Sequence, residues 1–183
     1  PAAEGLVRLV THAAQLTRHS TLLDVCCGGG TLGLSMAAHV RALIGIEINA
    51  AAVDDARANA ARNRIANATF IAGSAEATLP AVLASLTPAD AASLVAIVDP
   101  PRAGLHPDVC AALRGCASLR RLVFISCHAP GFVHNALALC RPAAPRSSHG
   151  SSSRASSAAA AAPPFVPVAA YPLDLFPTRR TAS

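Results

Sequence analysis

The chain has 183 residues, of which 52% are hydrophobic, and its formal net charge is +5. This length predicts about one globular domain, and the apolar content is too high for an intrinsically disordered chain. All 15 basic residues are arginines, and the positive charge permits a polyanionic partner such as nucleic acid without requiring one.

The six cysteines are not arranged in C-x-x-C pairs, so the sequence predicts no metal site. Cys26 and Cys27 are adjacent, which is typical of reduced thiols in an intracellular protein. We therefore expect an intracellular protein, with cytosol, nucleus and organelle all open. A monomer is also expected. No apolar stretch approaches the length of a membrane span, so we expect no membrane association.

The first elements along the chain alternate between helix and strand. A helix is predicted over Glu4 to Arg18, where apolar residues recur at helical spacing. A short apolar strand, Thr21 to Cys27, then runs into three glycines. We expect Thr31 to cap a helix over Leu32 to His39, followed by a second strand over Ala42 to Ile48. This order is typical of a parallel α/β sheet.

The turn after the first strand has the pattern of a nucleoside site. Gly28 and Gly30 lack a Cβ, so a ligand can approach their backbone, and Glu47, about 20 residues on, can accept both ribose hydroxyls. With Gly33 these glycines also match G-x-G-x-x-G, which leaves NAD and FAD open, and a turn that merely connects strand to helix is the structural alternative. Asp24 followed by Cys-Gly-x-Gly resembles the S-adenosylmethionine pocket of class I methyltransferases.

The next strand is predicted over Ala68 to Ala72, after a helix over Ala50 to Arg62 that Asn49 caps. In this architecture the loop after the third strand meets the adenine, so Ser74 and Glu76 are candidates to bond its amino group. Glu76 is explained equally well as a solvated acid at the amino end of the following helix.

An acid followed by two prolines ends the fourth predicted strand, Leu94 to Val98. Asp99 stands where a nucleoside and its target base would meet, and Pro100-Pro101-Arg102 follow it. Such loops are found in several methyltransferases that act on planar nitrogens, and an ordinary proline turn is the alternative.

A fifth strand is predicted over Arg120 to Cys127, after a helix over Pro107 to Cys116 and before a helix over Phe132 to Cys140. Cys127 ends this strand beside the strand of Asp99. A strand-end cysteine is usually an inert buried thiol, but a thiolate at this edge could be a nucleophile.

Residues 142–164 are rich in Ala, Ser and Pro without any period, which predicts a disordered insert. It separates a core over residues 1–141 from residues 165–183, which we expect to form a strand and tail of the same domain. That strand is predicted over Phe165 to Leu175, at a sheet edge because it contains two prolines.

Five segments in this order resemble the RNA 5-methyluridine methyltransferases: LLDVCCGGGTLGL, GIEIN, IVDPPRAGLHP, RLVFISC and DLFP. The eukaryotic tRNA uracil-54 branch is the nearest match. The resemblance covers Thr21 to about Cys140 and returns at Asp174. It implies a class I S-adenosylmethionine-dependent methyltransferase fold, a Rossmann-like doubly wound parallel sheet, whose partner is RNA and above all tRNA.

The same resemblance implies the roles of individual residues. Cys127 matches the nucleophile that adds to uracil C6, so that C5 can attack the sulfonium methyl group. Substrate contacts are implied for Asp99, Pro100 and Arg102. The positions implied for S-adenosylmethionine are Cys26, Gly28, Gly30, Thr31, Glu47, Ser74 and Asp99.

The chain departs from the family pattern in four places, one of which is that the family's amino-terminal RNA-binding part and a cofactor-contacting Gln lie outside these residues. His128-Ala129 stand where the family has Asn-Pro after the nucleophile. The family's base is a Glu in a Thr-x-His-x-Glu segment, whereas Thr178 to Ser183 contain neither His nor Glu, and we expect the final antiparallel strand to be missing. We therefore expect cofactor binding and a Cys127 adduct with little turnover. A non-catalytic RNA-binding relative and a methyltransferase for an exocyclic amine are the alternatives.

Overall fold

The computed structural model describes residues 2–142 and 163–173, and its centre is one parallel β-sheet. The strands are β1 (Thr21–Val25), β2 (Ala42–Glu47), β3 (Ala68–Ala72), β4 (Leu94–Val98) and β5 (Leu119–Phe124). They lie in the order β3-β2-β1-β4-β5, and all four neighbouring pairs are parallel. The chain direction across the sheet reverses between β1 and β4, so a crevice opens at their carboxyl ends. The doubly wound α/β fold is confirmed.

Helices cover both faces of this sheet. Side chains of α1, α2 and α3 fill the hydrophobic core on one face, and side chains of α4, α6 and α7 fill the core on the other. A single turn of 3-10 helix, Ala37–His39, follows α2. The helices are α1 (Ala2–Ala14), α2 (Thr31–Met36), α3 (Ala50–Arg62), α4 (Ala75–Ser85), α5 (Pro88–Ala91), α6 (Pro107–Gly115) and α7 (Ala129–Cys140).

The two central strands explain why the sheet is stable. Every residue of β1 and β4 is buried, as expected for parallel strands that are covered on both faces. Successive side chains point to opposite faces, so Leu22 packs in one core and Leu23 in the other. Burial of each leucine contributes roughly 2 kcal/mol. The central strands therefore hold the two helical layers together.

Most predicted elements are confirmed, and several of their boundaries need correction. The Asn49 cap is present, since its side chain accepts a hydrogen bond from the N–H of Ala51. Thr31 does not cap α2, because the helix already begins at Thr31 and Gly30 occupies the cap position with φ +76°. The first helix ends at Ala14 rather than Arg18. The fifth strand ends at Phe124, so Cys127 lies in the loop beyond it.

The strand predicted over Phe165 to Leu175 is wrong for the residues that the structure describes. Residues 163–173 have no regular secondary structure. Four prolines in that range lack an N–H, so the segment cannot donate a continuous ladder of hydrogen bonds. Phe165 instead packs beside the second core, and its N–H donates to the carbonyl of Leu139 at 3.0 Å.

Three earlier predictions fall on residues outside the described ranges. The insert predicted over residues 142–164 falls mostly on residues 143–162, and the predicted tail with Asp174 falls on residues 174–183. The missing antiparallel strand would also belong there. These statements stay predictions, as does the division into residues 1–141, 142–164 and 165–183.

Substitution of Gly45 tests how tightly the first core is packed. A Cβ at this position of β2 would lie 2.5 Å from Cδ1 of the buried Phe70 and 2.9 Å from Sγ of Cys27. We expect Gly45→Ala to lower the free energy of unfolding by about 1–3 kcal/mol in urea titrations. The matched control is Gly5→Ala in α1, where a Cβ meets nothing within 4 Å and should stabilise the helix by roughly 0.5–1 kcal/mol. Equal stability of Gly45→Ala and the wild type would contradict the packing described here.

Candidate active site

A cleft of about 690 Å³ opens at the carboxyl edge of the sheet. Its size is in the range of small-molecule sites in proteins. The loops that follow β1, β2, β3 and β4 supply its walls, and four of the predicted cofactor positions line it. These are Cys26, Glu47, Ser74 and Asp99.

The glycine turn after β1 is built from left-handed backbone. Gly28 has φ +52° and Gly30 has φ +76°, conformations that side chains with a Cβ rarely adopt. A Cβ on Gly30 would also lie 3.0 Å from the ring of Phe70. Cys26 is left-handed as well, with φ +65°, an uncommon conformation for a residue other than glycine. The turn thus presents bare backbone beside the cleft.

Glu47 is held in place by two backbone hydrogen bonds. One carboxylate oxygen accepts from the N–H of Gly28 at 3.0 Å, and the other accepts from the N–H of Asn49 at 2.9 Å. Each oxygen keeps a further lone pair, so the fixed carboxylate can accept additional hydrogen bonds from a ligand. The geometry suits a pair of vicinal hydroxyls at the cleft wall.

Asp24 lies beneath the turn and does not line the cleft. Its side chain is 1% exposed, and it accepts a hydrogen bond from the N–H of Gly33 at 3.1 Å. Burial raises the pKa of this carboxyl to about 7, against the lowering effect of the Gly33 bond, and the charges of Asp99 and Glu47 raise it further. Gly33 must be a glycine here, because a Cβ would lie 2.6 Å from Oδ2 of Asp24.

Asp99 reaches the cleft from the end of β4. Its N–H donates to the carbonyl of Val25 at 3.2 Å, which continues the pairing of the two central strands. Its side chain reaches solvent, and partial burial against the cleft wall raises the pKa of the carboxyl. Pro100 is buried and Pro101 lines the cleft, so the substrate contact predicted for Pro100 stays a prediction.

Cys127 lies in an exposed turn directly after β5. The N–H of Ile125 still donates to the carbonyl of Val98 at 2.8 Å, so this turn begins beside Asp99. Ser126 and His128 close the turn: the Ser126 hydroxyl donates to the carbonyl of His128 and accepts from its N–H, both at 3.1 Å. Cys127 is not among the residues lining the cleft, but its loop adjoins the cleft wall.

All six cysteines lie within the described residues, and Cys127 is the one that is exposed. Burial, followed by the charge of Glu47, raises the pKa of Cys26 to about 11. Burial, followed by the charge of Asp24, raises the pKa of Cys27 to about 12. Burial also raises the pKa of Cys110. These three thiols stay protonated at neutral pH, and Cys127 is the most accessible of the six to a substrate.

The remaining predicted positions surround the cleft at different depths. Ser74 is the N-cap of α4, and its side chain makes no capping bond. Thr31 is exposed at the start of α2, and Arg102 is exposed beyond Pro101. Neither Thr31, Gly28, Gly30 nor Arg102 lines the cleft, so their predicted contacts stay predictions.

Sequence reasoning missed several residues that line the cleft. Ile48 follows Glu47 and is 71% exposed, and Leu105, His106 and His134 form the opposite wall. The apolar residue next to the acid in GIEIN was a usable signal for Ile48. The position of His134 depends on how α7 packs against the loop after β4, which no local pattern encodes.

The charges at this edge favour a cationic ligand over an anionic one. The charges of Glu47 and Asp99 lie close enough to the glycine turn to raise the pKa of Asp24 and of Cys26. A bound diphosphate would need donors at the amino end of α2. There, however, the N–H of Gly33 already bonds to Asp24. The turn therefore disfavours the diphosphate of NAD or FAD.

The described part of the chain offers neither a metal cluster nor a helix that could span a membrane. Within it, no group of three or more His, Cys, Asp and Glu side chains could hold a metal ion. Among the described helices, none has the length and apolar character needed to span a bilayer.

Comparisons with known proteins agree on one family. A family model described as tRNA (Uracil-5-)-methyltransferase matches residues 1–142. The chain is 44% identical over 177 residues to the human tRNA (uracil-5-)-methyltransferase homolog A, covering 97% of this chain and 26% of that protein. It is 44% identical over 177 residues to homolog B of Danio rerio, covering 96% of this chain and 34% of that protein. The chain thus spans about a quarter to a third of these relatives.

Solved structures share the fold. The tRNA (uracil-54, C5)-methyltransferase of Pyrococcus abyssi, in complex with S-adenosyl-L-homocysteine, matches with a TM-score of 0.55 and 28% identity. The match covers 73% of this chain and 30% of that one. A precorrin 8w decarboxylase of Methanobacterium thermoautotrophicum matches with a TM-score of 0.62 and 22% identity, covering 76% and 71% of the two chains. The second likeness shows the fold alone.

Asp24 should make stability depend on pH in a specific direction. Its pKa in the folded chain, about 7, is above its ordinary value of 3.8, so stability is full below pH 3.8 and declines as pH rises toward 7. In urea titrations from pH 4.5 to 8, the free energy of unfolding of Asp24→Asn should not show this decline. Its difference from the wild-type value should therefore increase as the pH rises. The gain should be on the order of 4 kcal/mol at most.

Asp90→Asn is the matched control for this series. The Thr87 hydroxyl, followed by Arg41 and Thr21, lowers the pKa of Asp90, so its contribution is lost only at more acid pH. The difference between this variant and the wild type should stay constant from pH 4.5 to 8. A constant difference for Asp24→Asn as well would contradict the burial assigned to that carboxyl.

Proposed function

The chain belongs to the tRNA (uracil-5-)-methyltransferase family, and from this premise we propose that it catalyses methyl transfer from S-adenosylmethionine to C5 of uridine in tRNA. The observation that carries the proposal is the exposed thiol of Cys127, in a loop that adjoins the cleft wall formed by Asp99 and Pro101. We further propose that the protein acts as an intracellular monomer. The names of the relatives support tRNA as the RNA partner.

The residues of the cleft fit S-adenosylmethionine. The carboxylate of Glu47, fixed by Gly28 and Asn49, would accept the two ribose hydroxyls. The bare backbone of the glycine turn and the Cys26 side chain would lie along the ligand, with Ser74 near the adenine. The acidic surroundings of the turn suit a ligand with a sulfonium and an ammonium group. Thr31 is proposed to complete this site beside Gly30.

Cys127 supplies what uracil C5 lacks, which is nucleophilicity. Its thiolate adds to C6, the electrons of the C5–C6 double bond move toward the C4 carbonyl, and C5 becomes an enolate carbon. When bound, S-adenosylmethionine supplies an electrophilic methyl group for that carbon. A base then removes the proton from C5, the bond between C6 and Sγ breaks, and the double bond is restored. Asp99, Pro100 and Arg102 would hold the uracil ring in position during these steps.

Removal of the C5 proton decides whether the polypeptide of residues 1–183 releases its product or stops at the covalent adduct. Asp174 is its one carboxylate after Cys127, and no Glu follows it. We propose that this polypeptide stops after forming the Cys127 adduct and releases little 5-methyluridine. The second candidate, favoured by the same lack of a Glu, is an RNA-binding relative that transfers no methyl group.

Trapping with 5-fluorouridine tRNA tests the nucleophile independently of the base, because fluorine at C5 blocks the elimination step. With S-adenosylmethionine present, the wild type should form a covalent protein–RNA complex that survives denaturing electrophoresis. Cys127→Ala should reduce complex formation by about 100-fold or more, since the nucleophile is removed. The matched control is Cys116→Ala, a half-buried cysteine at the opposite edge of the sheet, which should trap like the wild type.

Three outcomes decide between the proposals. Trapping that persists in Cys127→Ala would refute the nucleophile. RNA binding by the wild type without any trapping would favour the RNA-binding relative. Repeated release of 5-methyluridine from unmodified tRNA by the 183-residue chain would refute the proposed arrest.

A further inference from the structure

Helix α7 is attached to the loop after β4. Asn135 of α7 is 1% exposed, and its side-chain amide makes two hydrogen bonds to the backbone of Leu105. Its Nδ2 donates to the carbonyl of Leu105 at 2.9 Å, and its Oδ1 accepts from the N–H of Leu105 at 2.8 Å. A buried pair of this kind fixes the position of the loop, because breaking it would leave polar groups unpaired.

Two glycines let these segments approach each other closely. Gly104 has φ +84°, and a Cβ there would lie 2.3 Å from Oδ1 of Asn135. A Cβ on Gly131 would lie 2.7 Å from the carbonyl oxygen of Arg102. Larger side chains at either position would push α7 away from the loop that runs from Asp99 to Leu105.

His128 makes the second connection, and it lies directly after Cys127. Its Nδ1 lies 3.0 Å from the carbonyl oxygen of Arg102, and the N–H of Gly131 points at the same nitrogen from 3.3 Å. One nitrogen cannot donate and accept at once. We assign the hydrogen to Nδ1 because the contact to the Arg102 carbonyl is the shorter of the two. With this tautomer the imidazole donates to Arg102.

We propose that His128 and Asn135 are positioning residues that hold Cys127 in a fixed position relative to the Asp99 loop. This inference rests on the proposed function. Addition at C6 and methyl transfer at C5 involve neighbouring atoms of one ring, so the thiol and the methyl donor must both be in place at once. Because the Ser126–His128 turn contains Cys127, the bond to Arg102 links the nucleophile to the loop that runs from Asp99 to Leu105.

The test compares His128→Ala with His128→Asn, whose amide carries both a donor and an acceptor. His128→Ala should slow the trapping of 5-fluorouridine tRNA on the order of 100-fold, the effect of a misplacement of about 1 Å. The rate at which iodoacetamide alkylates Cys127 should change less than about twofold, because the exposed thiol itself is unaltered. His128→Asn should recover trapping to within about fivefold of the wild type.

Hydrogen exchange of the loop keeps the test decisive if the chain traps no RNA. The amides of Gly104 and Leu105 should exchange faster in His128→Ala and in Asn135→Ala than in the wild type, and His128→Asn should restore slow exchange. A wild type that traps no RNA would sink the proposed function, while the exchange rates would still decide whether the two side chains hold the loop.

Several results would overturn the positioning role. These are wild-type trapping by His128→Ala, a fall in alkylation that parallels the fall in trapping, failure of His128→Asn to recover, and unchanged exchange in both alanine variants. The first two separate positioning from an effect on the thiol, and the last two test the hydrogen bonds themselves.

Discussion

The hydrogen bond from the N–H of Gly33 to the carboxyl of Asp24 is the interaction on which the site depends. It joins the first turn of α2 to the central strand β1, with the acid 1% exposed. The glycine turn is stretched between these two points, and its left-handed residues place the Gly28 N–H against Glu47. One buried acid therefore fixes both the helix and the ribose-binding carboxylate that we propose.

The same arrangement decides which ligand the turn accepts. In a dinucleotide site the amino end of the helix is open to a diphosphate. Here Asp24 uses one of those donors, and its neighbours Glu47 and Asp99 are acids. The sequence alone left NAD and FAD open because G-x-G-x-x-G describes only the glycines. The hydrogen bond from Gly33 to Asp24 is a tertiary contact that the motif does not encode. It makes the turn more suitable for a cationic ligand than for a diphosphate.

The sequence predicted the central strand β4 well because it is buried on both faces and is therefore an unbroken apolar run. The bounds of β3 and β4 were predicted to the residue, and Asn49 was recognised as a cap from its side chain. Thr31 was misplaced because a left-handed Gly30 can begin a helix without a side-chain cap. The strand predicted from Phe165 is not formed because its prolines outweigh its β-branched residues.

His128 and Asn135 could not be predicted, since their roles arise from contacts with the Arg102 and Leu105 backbone across 26 and 30 residues.

The most direct test of the account is a calorimetric titration of the 183-residue chain with S-adenosylhomocysteine and, separately, with NAD⁺. The account predicts that S-adenosylhomocysteine binds the wild type, that NAD⁺ does not, and that Glu47→Ala weakens binding by about tenfold or more. Asp55→Ala, on the exposed side of α3, should bind like the wild type. The proposed cofactor site would be contradicted if NAD⁺ bound more tightly than S-adenosylhomocysteine, or if Glu47→Ala bound S-adenosylhomocysteine with unchanged affinity.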